Sequence, residues 1–511
     1  AHNLYTETLA ETGIVGLLLL VAALVAPLVA FWRVRRRALS GAALAAPAHA
    51  AVTSSSGKWL WEGTGVSVAN VKDGVSMPSL NRRNVYPTGK GVGIALIDTG
   101  VAPVPGLTSG NVAYGPDLSL DSQDPAKRYT DGFGHGTHLA GIISAKSSGL
   151  TGMAPGAKLF SIKVGASSGA VDVSQVMAAI DWTVAHKNDD PANPIRVMVL
   201  AYGTDGVQPA DVDPLAFAVE NAWRAGITVV VAGGNDGNSA KLLNPATDKL
   251  VISVGAMDQN GTTTWSDDHV ASFTSVGDST RKIDFIAPGR SLISLRVPGS
   301  YIDVNYPGAR VGTSYFLGSG SSQAAAVTGA VVADLLELFP SMTPDQMKKL
   351  LIYAAVHPDG SGDYTKTSVN TNGAIELLDI WWSYYFFSGN GSPPDFSAAK
   401  SVQSIPKGTG KGLLEGARGT VHISDGTTQL TGEADLFGPF STSDWATASA
   451  AKTAWVGGSW MGHPLTGTGW EAGTGTTAWA GRAWSGRAWS GNTWSGRAWS
   501  SSSWQSVATG W

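Results

Sequence analysis

GVGIALIDTG, residues 91–100, reads as a buried strand that runs into a tight turn. Its apolar run does not alternate with polar residues, and Asp98, Thr99 and Gly100 close it. Such a run fits a parallel strand covered on both faces. Four more runs of the same kind follow: KLFSIKV (158–164), RVMVLAY (196–202), ITVVVAG (227–233) and KLVISVGAM (249–257). Between them lie stretches with helical periodicity. SQVMAAIDWTVAHK (174–187) sets Val176, Met177, Ile180 and Val184 on one face. PLAFAVENAWRAG (214–226) opens with Pro and closes with Gly, as a helix does. The alternation predicts an α/β fold with a doubly wound, mostly parallel sheet. GSSQAAAVTGAVVADLLELF (320–339) predicts a long buried helix, and Thr343-Pro344-Asp345 opens another.

In such a sheet, active sites gather at the carboxyl ends of the strands. Asp98 ends the first strand; it is either a loop-capping residue or a catalytic carboxylate. Asp-Thr-Gly is also the aspartic-protease signature, but that mechanism needs two carboxylates sharing a proton. No second Asp-Thr-Gly occurs in the chain. GFGHGTHLAGII places His135 at a helix start between glycines that let chains approach closely. In GSGSSQAAAVTGA, Ser322 sits at a helix N-terminus, where free N–H groups favour developing negative charge. An ordinary serine cap is the alternative there. In VVVAGGNDG, Asn235 follows a strand and offers a side-chain amide to an oxyanion; a turn asparagine is the alternative. Serine needs an imidazole to activate it, and the imidazole needs a carboxylate to fix its tautomer. A base of this kind loses activity as it protonates in acid.

Taken together, the order Asp98, His135, Asn235, Ser322 resembles the subtilisin family over about residues 85–356. The resemblance implies a seven-stranded parallel sheet flanked by helices and a serine endopeptidase whose triad is Asp98, His135 and Ser322. It takes the first histidine of His-Gly-Thr-His as the base, with Asn235 as oxyanion donor. It also matches Ala201, Tyr202 and Gly203 to the strand that pairs with the substrate backbone. Protein or peptide substrates follow, as does an extracellular or envelope location. Ser321 and Ala326 depart from the usual Thr and Pro. Gly329 arrives one residue early, which turns part of that helix by about 100°. Residues 51–84 are shorter than the usual inhibitory pro-segment. A catalytically impaired, surface-binding relative is the alternative function.

No cofactor is required. The loop with Asp117, Asp121, Asp124 and Asp131 is a candidate calcium site, since many relatives use calcium; a solvated loop is the alternative. Neither a phosphate loop nor zinc spacing occurs. The net charge of -4 gives no pull toward nucleic acid. The absence of cysteine removes disulfides, thiolate metal sites and cysteine nucleophiles.

The ends differ in character. Residues 14–32 form an uncharged apolar run of nearly membrane-spanning length, followed by Arg33, Arg35, Arg36 and Arg37. Residues 1–35, with His2-Asn3-Leu4 before that run, resemble the C-terminal part of O-antigen ligase and polymerase membrane proteins. Ala48-His49-Ala50 reads as a signal-peptidase pattern. At the other end Trp479, Trp484, Trp489, Trp494, Trp499 and Trp504 recur every five residues. Similar tails occur on some bacterial subtilisin-like proteins, and such rows can stack on a cell-envelope polymer. By sequence the chain divides into a membrane segment (1–37), a signal-type segment (38–50), a short extension (51–84), the peptidase domain (85–356), a Gly/Ser-rich region (357–469) and the Trp pentad tail (470–511). A chain ending near residue 400 is expected to keep its activity, because every catalytic segment lies before residue 357.

Overall fold

Strand β1 (Gly93–Asp98) is buried at every residue and lies inside the main sheet, as its uninterrupted apolar run requires. The computed structural model describes residues 87–354 and 401–466, apart from 207, 260–268, 421 and 425–428, together with Val68, Val71, 469–470 and 480–481. β2 (Val112–Asp117) flanks β3 (Lys158–Lys163), which pairs with one edge of β1. β4 (Ile195–Leu200) takes the other edge, and β5 (Thr228–Ala232) and β6 (Ile252–Asp258) follow it. The short β7 (His269–Val270) runs antiparallel to β6, and β8 (Phe285–Pro288) parallel to it. After β3 the chain crosses β1 and begins β4 on its far side. The winding reverses there, at the carboxyl end of β1 where Asp98 stands, which is where open α/β sheets place their ligand crevice.

The connecting helices have local reasons for their limits. α1 is His135–Ser144. α2 (Val173–His186) starts at a capping box: Asp172 accepts the Ser174 N–H at 3.0 Å, and Gln175 Oε1 accepts the Asp172 N–H at 2.7 Å. α3 (Pro214–Arg224) has Asp213 as its cap and Pro214 in its first turn. The small sheet of β9 (Leu292–Leu295), β10 (Arg310–Val311) and β11 (Tyr315–Gly318), with the short helix α4 (Tyr301–Asn305), leads into α5 (Ser321–Leu338). α5 is buried from Ser321 to Leu336, and α6 (Pro344–Ala354) follows. α1 packs with α5 and α2 with α3, each pair also touching the sheet.

The C-terminal region does not stand apart as the sequence rhythm suggested. α7 (Leu414–Arg418) and α8 (Thr442–Ala450) pack on the sheet-and-helix body. Trp445 and Trp460 are buried, and each donates its indole N–H to Asp181 Oδ2 on α2, at 2.8 and 2.9 Å. Ser449 donates to Asp181 Oδ1 at 2.6 Å. Glu220 of α3 accepts the Gly408 N–H at 3.0 Å. The sequence hides this because the tryptophans sit in Gly- and Ser-rich chain with no period, while their acceptor lies more than 260 residues away.

Burial pushes the Asp181 carboxyl up to about 6, its three hydrogen bonds pulling the other way. That is above the ordinary carboxyl value of about 3.9, so between about pH 4 and 6 the folded protein keeps a proton that the unfolded chain releases. Stability from this group is therefore greatest below pH 4 and falls as pH rises to 6. Asp181→Asn keeps an oxygen for both indoles and has no such proton. The unfolding free energy of the wild type should fall relative to this variant by about 2–3 kcal/mol between pH 4 and 7. The same change in unfolding free energy with pH in the two proteins, measured by denaturant titration at each pH, would remove Asp181 from the account.

Among the described residues, no helix is long and apolar enough to cross a membrane. The run 14–32, the segment 38–50 and the Trp pentads lie outside the described residues.

Candidate active site

Asp98 and His135 meet because α1 begins hard against the turn after β1. A Cβ on Gly136 would stand 2.2 Å from the Gly100 carbonyl, so only glycine lets the helix come this close. Gly134, the cap of α1, has φ 106, a left-handed conformation that glycine adopts without strain. The Asp98 carboxylate then lies 2.8 and 2.9 Å from His135 Nδ1, and both side chains are buried. Thr99 N–H donates to Asp98 Oδ1 at 2.8 Å, which fixes the carboxylate.

A second carboxylate lies beneath the first. Asp131 accepts from Thr99 Oγ1 at 2.9 Å, Gly134 N–H at 2.6 Å, and the Thr137 N–H and hydroxyl at 2.7 Å each. Thr99 Oγ1 in turn accepts the Gly136 N–H at 2.9 Å. Asp131 thus ties the Asp98 turn to the first turn of α1. Burial raises its carboxyl, and the hydrogen bonds from Gly134 and Thr137 oppose that rise. Sequence reasoning missed this role; the only signal is an Asp four residues before His135.

His138 is buried on the same helix, with Nε2 3.2 Å from the Phe316 carbonyl. Burial, with His135 beside it, drives its pKa down to about 3, so it stays neutral.

Ser322 is the second residue of α5, and Gly320 is the cap, so Ser322 is not the helix cap that a purely structural reading makes it. The first turns of α1 and α5 meet at Gly318, where a Cβ would stand 2.4 Å from the His138 ring and 2.8 Å from Gln323 Nε2. Asn235 follows β5, and its Oδ1 accepts the Ser321 N–H at 2.8 Å. That bond turns the Asn235 NH2 away from Ser321 and leaves it as a donor. Ser321, in place of the usual Thr, accepts the Gly234 N–H at 3.2 Å and so joins the Asn235 loop to α5. α5 runs unbroken through Ala326 and Gly329, and Gly329 faces β4, where a Cβ would stand 2.3 Å from Val199.

The β4 ladder ends at Leu200, and Ala201, Tyr202 and Gly203 carry the chain onward. Leu243, which sequence reasoning did not place, fits between that segment and the Asn235 loop. A Cβ on Gly203 would stand 2.7 Å from it and one on Gly234 3.1 Å. A cleft of about 900 Å³ opens beside it, bordered by Gly206, Asp236 and Leu243 and, from the C-terminal region, by Ile405, Lys407 and Thr409.

The candidate calcium loop does not fit calcium. Lys163 Nζ lies where a cation would, donating to Asp121 Oδ2 at 2.9 Å and to the carbonyls of Lys127 and Thr130 at 3.0 and 2.7 Å. Asp117 is taken by Ser119 and the Tyr129 N–H, and Asp131 by the bonds above. The loop is not solvated either: Asp117, Asp121 and Asp131 are buried, and Asp124, which pairs with Lys127 at 3.2 Å, is the most exposed of the four. Among the described residues, no group of three or more His, Cys, Asp or Glu side chains gathers to hold a metal.

A buried carboxylate bound to an imidazole Nδ1 is the pairing that serine-hydrolase triads use, on several unrelated folds. The model of the subtilase family matches residues 89–377, and the chain belongs to that family. It is 40% identical to serine protease AprX of Bacillus subtilis (strain 168) over 274 residues, covering 52% of this chain and 61% of AprX. Minor extracellular protease Epr of the same organism is 31% identical over 268 residues, 51% of this chain and 34% of Epr. Subtilisin DY of Bacillus licheniformis is 31% identical over 294 residues, 56% of this chain and 92% of that protein. The chain thus spans less than two thirds of the length of AprX and of Epr.

Proposed function

We propose that this chain is a serine endopeptidase that cleaves protein or peptide substrates outside the cytoplasm. The observation that carries the reading is the buried Asp98–His135 pair at the crevice, beside the first turn of α5. Ser322 Oγ attacks the scissile carbonyl while His135 Nε2 takes its proton. Asp98 holds the Nδ1 proton in place and stabilises the imidazolium that forms. The Asn235 amide donates to the oxyanion, with the N-terminal dipole of α5 behind it. The imidazolium then protonates the departing amine, and water, deprotonated by the same ring, releases the acyl group. Ala201–Gly203 pairs with the substrate backbone on the acyl side. The extracellular assignment is supported by the relative named an extracellular protease.

The test is reaction of the purified protein with a fluorophosphonate probe, followed by mass-spectrometric mapping. Ser322 should carry the label, and Ser322→Ala should lose both labelling and casein hydrolysis. Label on another serine, or hydrolysis by the variant at the wild-type rate, would refute the assignment.

A further inference from the structure

One C-terminal segment packs both on the chain after Ala201–Gly203 and on the loop beside His135. Past Ala201–Gly203 the chain continues through Thr204, Asp205 and Gly206, and α7 with the two residues after it lies against these three. Thr204 Oγ1 donates to the Ala417 carbonyl at 2.5 Å. Asp205 accepts from the N–H and hydroxyl of Thr420 at 2.8 and 2.5 Å. A Cβ on Gly206 would stand 2.9 Å from the Gly416 carbonyl, so the two backbones are in contact.

The histidine side is similar. The loop from Ala166 to Ala170 packs on the residues just before His135: a Cβ on Gly132 would stand 2.1 Å from Ser167 Oγ, and one on Gly169 2.8 Å from the Phe133 ring. Ala166 and Ala170 in turn share an apolar cluster with Ile423, Leu430 and Leu436. Arg418 fastens the whole. Its guanidinium is 1% exposed and donates to Asp172 Oδ1 at 2.6 Å and to the Gly432 and Ala434 carbonyls at 2.9 and 2.6 Å. Asp172 is the cap of α2, two residues beyond Ala170, so the bond ties the segment to the loop beside His135.

A substrate backbone paired with Ala201–Gly203, as proposed above, and continued past Gly203 meets α7 at Thr204. We propose that α7 and the residues packed with it close the acyl side of the groove, with Arg418 as the positioning residue that holds this wall in place. The inference rests on the endopeptidase reading. At about 3.3 Å per residue, the open strand pairs with about three substrate residues before the wall.

The experiment compares peptide anilides of increasing acyl-side length on the wild type, Arg418→Met and Asp205→Ala. Wild-type kcat/KM should climb to about three residues and then level. In both variants the longer peptides should gain further, by about tenfold and through KM, while the shortest peptide keeps its rate. Arg418→Met leaves Asp172 buried without its cation and is at risk of misfolding. Asp205→Ala cuts only the partly exposed tether to Thr420 and carries the test in that event. A plateau unchanged in Asp205→Ala, with only the thermal midpoint lowered, makes the segment a structural brace and overturns the proposal. So does a wild-type rate that keeps rising with length. No hydrolysis and no labelling of Ser322 in the wild type is the failure of the endopeptidase reading, whereas hydrolysis without the plateau is the failure of the wall alone.

Discussion

Asp98→Asn should lower kcat by about 10⁴, the size of loss seen when a serine-protease triad loses its carboxylate charge. The reason lies in the two contacts of 2.8 and 2.9 Å between the carboxylate and His135 Nδ1. A carboxylate only accepts, so the imidazole keeps its proton on Nδ1, which leaves Nε2 unprotonated as the base of the proposed mechanism. An Asn amide can donate to Nδ1 instead, which moves the proton to Nε2 and removes the base. The substitution also withdraws the charge that stabilises the imidazolium. Folding should survive, because the Asn oxygen can still accept the Thr99 N–H that Asp98 Oδ1 accepts now. The measurement is kcat and KM on one peptide anilide, with the thermal midpoint recorded alongside. A fall in kcat below about tenfold, in a variant that folds normally, would show that His135 does not depend on Asp98.

A chain ending at residue 400 should not fold cooperatively. It lacks Trp445 and Trp460, both buried against the body of the protein. Removing a buried tryptophan side chain costs about 3–5 kcal/mol, against a total stability of about 5–15 kcal/mol for a typical protein. It also strips Asp181 of the Trp445, Ser449 and Trp460 donors and Asp172 of the Arg418 guanidinium. A buried carboxylate without partners is a further cost. Circular dichroism on heating should show no sharp transition for this chain, and casein hydrolysis should be lost. A chain ending at residue 466 keeps α7, α8 and both tryptophans, and should melt close to the full-length protein. If the shorter chain melts within a few degrees of the longer one and still hydrolyses casein, the packing of residues 401–466 contributes little. That outcome would return the boundary to residue 356, where the change in sequence rhythm puts it.

The strands and the catalytic candidates were legible because their signals are local. A strand covered on both faces needs an unbroken apolar run, and GIALID shows one. Asp98, His135, Asn235 and Ser322 each lie within three residues of the end of a strand or helix, where turn and cap residues leave short, readable patterns. The openings of α3, at Pro214, and of α6, at Thr343-Pro344-Asp345, were readable for the same reason.

Tertiary structure alone decided where the remaining charges and tryptophans go. Asp117, Asp121 and Asp131 read in sequence as a candidate calcium loop or a solvated one, since a charged side chain is buried only when a partner meets it. The partner of Asp121 lies 42 residues away on the next strand, and that of Asp131 lies across the turn after β1. Asp181 falls off the apolar face of its helix, yet it is buried because α8 and Trp460 come back to it from the far end of the chain. Hydrogen-bond partners at such separations are set by how the sheet is wound and not by any neighbouring residue. Local pattern therefore gives the elements and the candidate catalytic residues at their ends, whereas the winding of the sheet decides which carboxylate meets the histidine, which cation fills the loop and which distant segment packs beside Thr204.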